Sequence, residues 1–107
     1  MERYTFSYPA TANHGLRRAL AGVVGSGDLE VLLEPAPSGD TLVTVSTALA
    51  GTEQIWRRVL ERVFAETAWP PVRLDIHDFG ASPGVIRLRL EQALAASRER
   101  GGNDERC

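Results

Sequence analysis

The chain reads as a two-layer α+β domain: an antiparallel or mixed β-sheet with two amphipathic helices covering one face. Three observations predict this. Most candidate strands alternate apolar and polar residues, so each has a single face to bury. Two segments, one with its stripe from Ile55 to Phe64 and one from about Pro83 to Arg98, carry apolar side chains at helical spacing. The 107 residues, 43% of them hydrophobic, suffice for one modest core. The domain is expected over residues 1–98, with 99–107 a polar C-terminal tail.

Tyr4-Thr5-Phe6-Ser7-Tyr8 alternates large apolar with small polar residues and is predicted to be a one-faced strand, stopped by Pro9. Residues 10–15 form a loop ending in Asn13-His14-Gly15. Leu16–Leu20 fits either a short helical turn or the entry to a strand. Leu29, Val31 and Leu33 alternate with Glu30 and Glu34, marking a strand in which Leu32 is the one exception. Pro35-Ala36-Pro37-Ser38-Gly39-Asp40 is a turn. Val43, Val45, Thr47 and Leu49 share one face of the next strand.

Gly51-Thr52 introduces a helix, with Thr52 as N-cap and Glu53 favourable in the first turn. Ile55, Trp56, Val59, Leu60, Val63 and Phe64 form its apolar stripe. Arg57, Arg58, Glu61 and Arg62 occupy the other face. Trp69-Pro70-Pro71 closes the element. Val72, Leu74 and Ile76 then alternate with Arg73, Asp75 and His77 in a further strand. Phe79-Gly80-Ala81 turns the chain, and Ser82-Pro83 has N-cap and first-turn chemistry. The last helix runs from about Pro83 to Arg98 and buries Ile86, Leu90, Ala93 and Leu94; from Gly101 onward a disordered tail is expected.

Bulk composition excludes several functions. A net charge of −2 leaves no electrostatic footprint for nucleic acid or an anionic membrane. No apolar run approaches the roughly 20 residues of a membrane span, and Met1-Glu2-Arg3-Tyr4 does not open a secretory signal. The only cysteine, Cys107, has no partner for an intramolecular disulfide, so a cytoplasmic location is expected. Two histidines make a poor metal site, and no metal is expected. His77-Asp78 are adjacent strand residues that point to opposite faces, so no catalytic pair is expected there, nor any other catalytic residue. All twelve basic residues are arginine. Without a lysine amine there is no Schiff base and no biotinyl or lipoyl attachment, so serine is the expected anchor of any covalently carried group.

One serine stands out. Gly25-Ser26-Gly27-Asp28 lies between the apolar runs Leu20–Val24 and Leu29–Leu33. Glycine supplies positive φ and aspartate bonds locally, so the four residues alone fit an ordinary structural turn. They also fit an attachment point: the flanking glycines clear space around the hydroxyl, and their N–H groups can form a nest for a phosphodiester.

A second segment, His77-Asp78-Phe79-Gly80-Ala81-Ser82-Pro83-Gly84, gives the first its context. Taken with Val23-Val24-Gly25-Ser26-Gly27-Asp28-Leu29-Glu30-Val31-Leu32, it resembles the acyl carrier (delta) subunit of biotin-independent malonate decarboxylase. The likeness runs from about Arg3 to Ala96 and takes in Ile55-Trp56 and the closing Arg-rich helix. The resemblance implies that Ser26 carries 2′-(5-phosphoribosyl)-3′-dephospho-coenzyme A through a phosphodiester, with Gly25, Gly27 and Asp28 as the supporting turn. It further implies that malonyl and acetyl thioesters ride on that arm while partner acyltransferase and decarboxylase subunits do the chemistry. A prosthetic-group transferase would load the arm during maturation. The other reading is a non-catalytic binding or scaffold subunit whose serine turn stays bare. Arg17, Arg18, Arg57, Arg58 and Arg62 would meet partner subunits or the arm, or form a merely solvated face.

Overall fold

In the computed structural model, residues 1–11, 19–21, 28–36 and 39–104 are described, the side chains of 19–21 and 98–104 excepted. The elements in order are β1 (Glu2–Tyr8), β2 (Ala19–Ala21), β3 (Leu29–Pro35), β4 (Thr41–Thr47), α1 (Glu53–Glu66), β5 (Val72–Asp78) and α2 (Pro83–Asp104). The strands form one mixed sheet in the order β1-β4-β5-β3-β2. β4 and β5 are parallel, joined by the α1 crossover, and the other neighbours are antiparallel.

Register turns the sequence alternation into continuous rows across the sheet. Phe6, Val43, Leu74 and Leu33 are successive partners in one row; Tyr4, Val45, Ile76 and Val31 make the next. Both rows face the helices, and all these residues except partly buried Tyr4 are buried. A third row, Glu2, Thr47, Asp78 and Leu29, closes that end of the sheet. Thr41, Thr47 and Asp78 are buried polar residues of this largely apolar face. The opposite face carries Glu30, Thr44, Arg73, Asp75 and His77. The α+β architecture and the single covered face are therefore as the alternation predicts.

α1 lays Trp56, Leu60 and Val63 on the sheet, and α2 adds Ile86, Leu90, Ala93 and Leu94. Burying one such large side chain contributes about 1.5–3 kcal/mol. Beside them an aromatic cluster fastens β1 to the end of α1. Tyr8 stacks on Phe64 at 4.6 Å between ring centroids, and Phe64 tilts against Trp69 at 4.9 Å. Trp69 is held in turn by paired bonds with Thr11, N–H to carbonyl at 2.8 Å and N–H to Oγ1 at 3.2 Å.

Four local expectations change. Ile55 is 47% exposed, because the i, i+4, i+7 set Trp56, Leu60, Val63 defines the contact line and Ile55 falls about 100° to one side of it. Thr52 stands at the N-cap of α1 but makes no capping bond: its backbone is at φ −103°, ψ 9°, outside the extended region from which a cap side chain reaches back, and its buried Oγ1 has no hydrogen-bond partner. The Tyr4 hydroxyl accepts from Thr52 N–H instead, at 3.3 Å. Leu49 leaves the strand face, since Leu49 N–H bends back to Thr47 Oγ1 at 3.0 Å and β4 ends at Thr47. Finally, the backbone of α2 continues to Asp104, past the end expected near Arg98. Each added residue gains one helical bond, which offsets the roughly 1 kcal/mol cost of a glycine.

β2 pairs with β3 through Ala19↔Leu33, Leu20↔Leu32 and Ala21↔Val31, which settles the ambiguous Leu16–Leu20 segment as strand where it is described. His14, Leu16, Arg17, Arg18 and the Pro37-Ser38 part of the following turn lie outside the described residues.

Candidate functional site

The antiparallel pairing of β2 and β3 makes Gly25-Ser26-Gly27-Asp28 part of the connection between two neighbouring strands at the sheet edge. Gly25, Ser26 and Gly27 themselves lie outside the described residues; Asp28 is the first described residue after them. The connection re-enters the sheet at the end where β5 finishes and α2 begins, because Leu29 is paired with Asp78.

Asp28 is held from three sides. Its carbonyl accepts from Phe79 N–H at 2.8 Å. Its Oδ1 accepts from the backbone N–H of Leu29, and its Oδ2 accepts from Arg89 Nη2 on α2 at 3.1 Å. The two segments singled out in the sequence, some fifty residues apart, thus meet directly in space.

The second segment is itself fixed from within. Asp78 is 3% exposed. Its Oδ2 accepts from Thr47 Oγ1 at 2.8 Å, and its Oδ1 accepts from the N–H groups of Gly80 (3.0 Å) and Ala81 (2.9 Å). This is an aspartate folding the chain back over its own carboxylate. Gly80 takes φ +116°, a conformation side chains rarely adopt, which is why glycine occupies the turn. Ala48 N–H binds the Asp78 carbonyl at 3.2 Å. Ser82 then caps α2, its Oγ accepting from Val85 N–H at 3.3 Å, with Pro83 at the first helical position.

His77 and Asp78 lie on opposite faces of the sheet. His77 points to the open face, where Nδ1 lies 3.4 Å from Oε1 of its cross-strand partner Glu30. Asp78 faces the core with both oxygens taken by donors. The expected separation of His77 from Asp78 is what the structure has. Among the described residues no three His, Cys, Asp or Glu side chains gather as a metal site, and no helix is long and apolar enough to cross a membrane.

The arginines divide by position. Arg57 pairs with Glu53 at 3.3 Å and lays its guanidinium 5.3 Å from the Phe6 ring centre, so it covers the core edge. Arg58 and Arg62 line an open groove with Ile55, Val59 and Pro83.

Arg89 is the residue the sequence reading missed. It sits at i+3 from Ile86 and one place before Leu90, inside the buried stripe of α2; a charge within an apolar stripe was the available signal. Nη1 donates to Gln92 Oε1 at 3.0 Å and Nη2 to Asp28, while Nε is buried with no hydrogen-bond partner. The side chains of the Arg89–Asp28 pair are 22% and 29% exposed. Ion pairs with solvent access contribute about 0–1 kcal/mol. An unsatisfied buried donor costs about 1–3 kcal/mol. The pair bonds the Asp28 carboxylate to α2.

Comparison with known proteins places this geometry in context. The family model described as malonate decarboxylase delta subunit matches residues 16–97. A malonate decarboxylase acyl carrier protein of Pseudomonas aeruginosa (strain UCBPP-PA14) is 53% identical over 104 residues, covering 97% of this chain and 100% of that protein. One of Azotobacter vinelandii is 53% identical over 94 residues, 88% of this chain and 94% of its own. Among solved structures, a chain of a Pseudomonas malonate decarboxylase hetero-tetramer crystallised with malonate superposes with a TM-score of 0.81 at 49% identity, covering 90% of this chain and 98% of that one.

Proposed function

The chain belongs to the malonate decarboxylase delta-subunit family, and on that premise we propose that it carries an acyl group covalently, through Ser26, for partner subunits that perform the chemistry. The observation that supports this most is the joining of the two motifs at Asp28, bonded to Phe79 N–H and to Arg89. A carrier needs a serine fixed at its base and no general acid or base of its own. Asp28, two residues after Ser26, is fixed by its bonds to Phe79 and Arg89 and supports that reading.

The group implied by the family is 2′-(5-phosphoribosyl)-3′-dephospho-coenzyme A on Ser26. The surroundings suit it. A phosphodiester on Ser26 puts negative charge two residues from the Asp28 carboxylate, and the Arg89 guanidinium compensates that charge. When bound, the arm supplies a terminal thiol that holds the acyl group as a thioester. This chain's residues anchor the arm, Asp28 by its backbone and side-chain bonds and α2 through Arg89. Tethering raises the effective concentration of the acyl group at each partner site without strong docking. The partners are an acyltransferase and a decarboxylase subunit, with a dedicated transferase for loading, all in the cytoplasm.

Intact-mass measurement on the subunit isolated from its native decarboxylase tests this. An added mass equal to the phosphoribosyl-dephospho-CoA group, absent in Ser26→Ala along with decarboxylase activity, is expected. A bare chain in fully active enzyme refutes it and leaves the scaffold reading.

A further inference from the structure

We propose that the groove between α1 and the start of α2 docks an acidic, amphipathic helix of a partner subunit, with Arg58 and Arg62 receiving its carboxylates and Ile55, Val59 and Pro83 its apolar side chains. This rests on the reading of the chain as one subunit of a malonate decarboxylase assembly.

The arginines of the two helices fall into two groups. Arg57 is bonded to Glu53, Arg87 to Glu66 and Glu91, and Arg89 to Asp28. Arg58 and Arg62 are exposed and make no hydrogen bond or ion pair with any described residue. They stand four residues apart on one helix, so they are neighbours on its surface, and like charges at that spacing repel each other. The two carboxylates at the groove do not engage them. Glu66 is bonded to Arg87. Glu61 is turned about 100° from Arg62, toward the side where its charge acts on Tyr8 together with that of Arg57.

Apolar surface lies beside this free positive charge. Ile55 is one of the exposed large hydrophobic residues, Pro83 is exposed and Val59 half-buried, and they line a groove of about 570 Å³. Ile55, Val59 and Arg62 fall at i, i+4 and i+7, a stripe turned away from the Trp56, Leu60, Val63 line that packs on the sheet. From Ile55 to Glu66 the stripe runs about 16 Å, or about three helical turns. A helix laid along it fits that length. Carboxylates four residues apart on such a helix match the Arg58–Arg62 spacing, and each guanidinium fork can take a carboxylate through two parallel bonds. Apolar residues on the same face of the partner helix then meet Ile55 and Pro83.

The test is isothermal titration of the purified partner acyltransferase and decarboxylase subunits with the full-length Ser26→Ala chain, which carries no arm, repeated with the arm-bearing chain. The Ser26→Ala chain is expected to bind one of the two subunits, with an affinity that falls as salt rises. Adding Arg58→Glu and Arg62→Glu together should weaken that binding at least about a hundredfold and remove most of its salt dependence, and Ile55→Asp should weaken it about tenfold. Melting temperatures should stay within about 4 °C of the parent, since all three side chains are exposed. Arg58→Lys with Arg62→Lys, which keeps both charges, should retain most of the affinity. Undiminished binding by the double glutamate variant overturns the proposal. A loss matched by a large fall in melting temperature makes the arginines structural and overturns it too. Weakening confined to the arm-bearing chain would make the groove a cradle for the arm, which also overturns it. If the Ser26→Ala chain binds neither subunit, the partner reading falls and this inference with it; binding by that chain with equal binding by its variants refutes the inference alone.

Discussion

The Asp78 turn offers the sharpest test of how the second motif is held. Asp78→Ala removes an acceptor used by three donors: Thr47 Oγ1, Gly80 N–H and Ala81 N–H. The donors differ in what they can do next. Gly80 is exposed and Ala81 partly so, and water can replace the carboxylate there, leaving a loss of about 0.5 kcal/mol each. Thr47 is fully buried, and its hydroxyl loses its acceptor outright, at about 1–3 kcal/mol. The sum is roughly 2–4 kcal/mol, which at 4–8 °C per kcal/mol for a chain of this size predicts a fall in melting temperature of roughly 8–32 °C. Asp78→Asn keeps one oxygen for the two amides and should lose about 1 kcal/mol. Urea unfolding followed by the fluorescence of Trp56 and Trp69, with thermal melts by circular dichroism, measures both. If Asp78→Ala loses under about 1 kcal/mol, or Asn costs as much as Ala, the donor-by-donor reasoning is wrong. The Phe79 N–H to Asp28 bond depends on the same turn, so Asp78→Ala should also slow loading of Ser26.

Leu90 is completely buried beneath α2, and Leu90→Ala should lose about 2–5 kcal/mol in urea unfolding with its slope unchanged. Burial, and secondarily the charge of Glu61, raises the Tyr8 phenol above its usual value near 10. The stability this contributes is therefore present below the unfolded-state value and lost as pH rises through the folded one. Unfolding titrations from about pH 8 to 11.5 should show an alkaline decline that is shallower in Tyr8→Phe, and an identical decline in both would disprove the assignment. Gly27→Val should slow loading of Ser26 at least about tenfold while shifting the melting temperature less than Leu90→Ala does; the reverse order would make Gly27 a purely conformational requirement.

Much of the fold was legible because one periodicity decided it. In β5 the sequence alternates Val72, Leu74, Ile76 with Arg73, Asp75, His77, and the structure buries the first set and exposes the second. In α2 the four residues expected in the core are buried, and Ser97 is buried beside them. What periodicity cannot carry is pairing. The parallel β4–β5 contact depends on α1 crossing over the sheet, and alternation within a strand is the same for parallel and antiparallel neighbours. Thr52 shows a different limit. Its residue type is right for a cap and its neighbour Glu53 is right for a first turn, yet the hydrogen bond also requires a backbone conformation that Tyr4, nearly fifty residues away, takes part in setting.

The site divides along the same line. Of the two motifs, the first keeps Gly25, Ser26 and Gly27 outside the described residues, and the second was legible as a turn and a cap. Their meeting at Asp28 was not, because it is made by β3 pairing with β5, a contact across the α1 crossover. That pairing has a functional consequence. It places Leu29, the residue after the Gly-Ser-Gly-Asp turn, opposite Asp78, the residue before the turn that leads into α2. The start of β3 is thereby tied to the most constrained corner of the sheet, although the turn itself belongs to an edge connection. A carrier has to reconcile two demands: a reachable hydroxyl, which favours an edge, and a fixed base, which favours the interior. On the proposed reading of Ser26 as the attachment point, the bonds from Asp28 to Phe79 on one side and Arg89 on the other supply the fixed base, two residues along the chain from the serine.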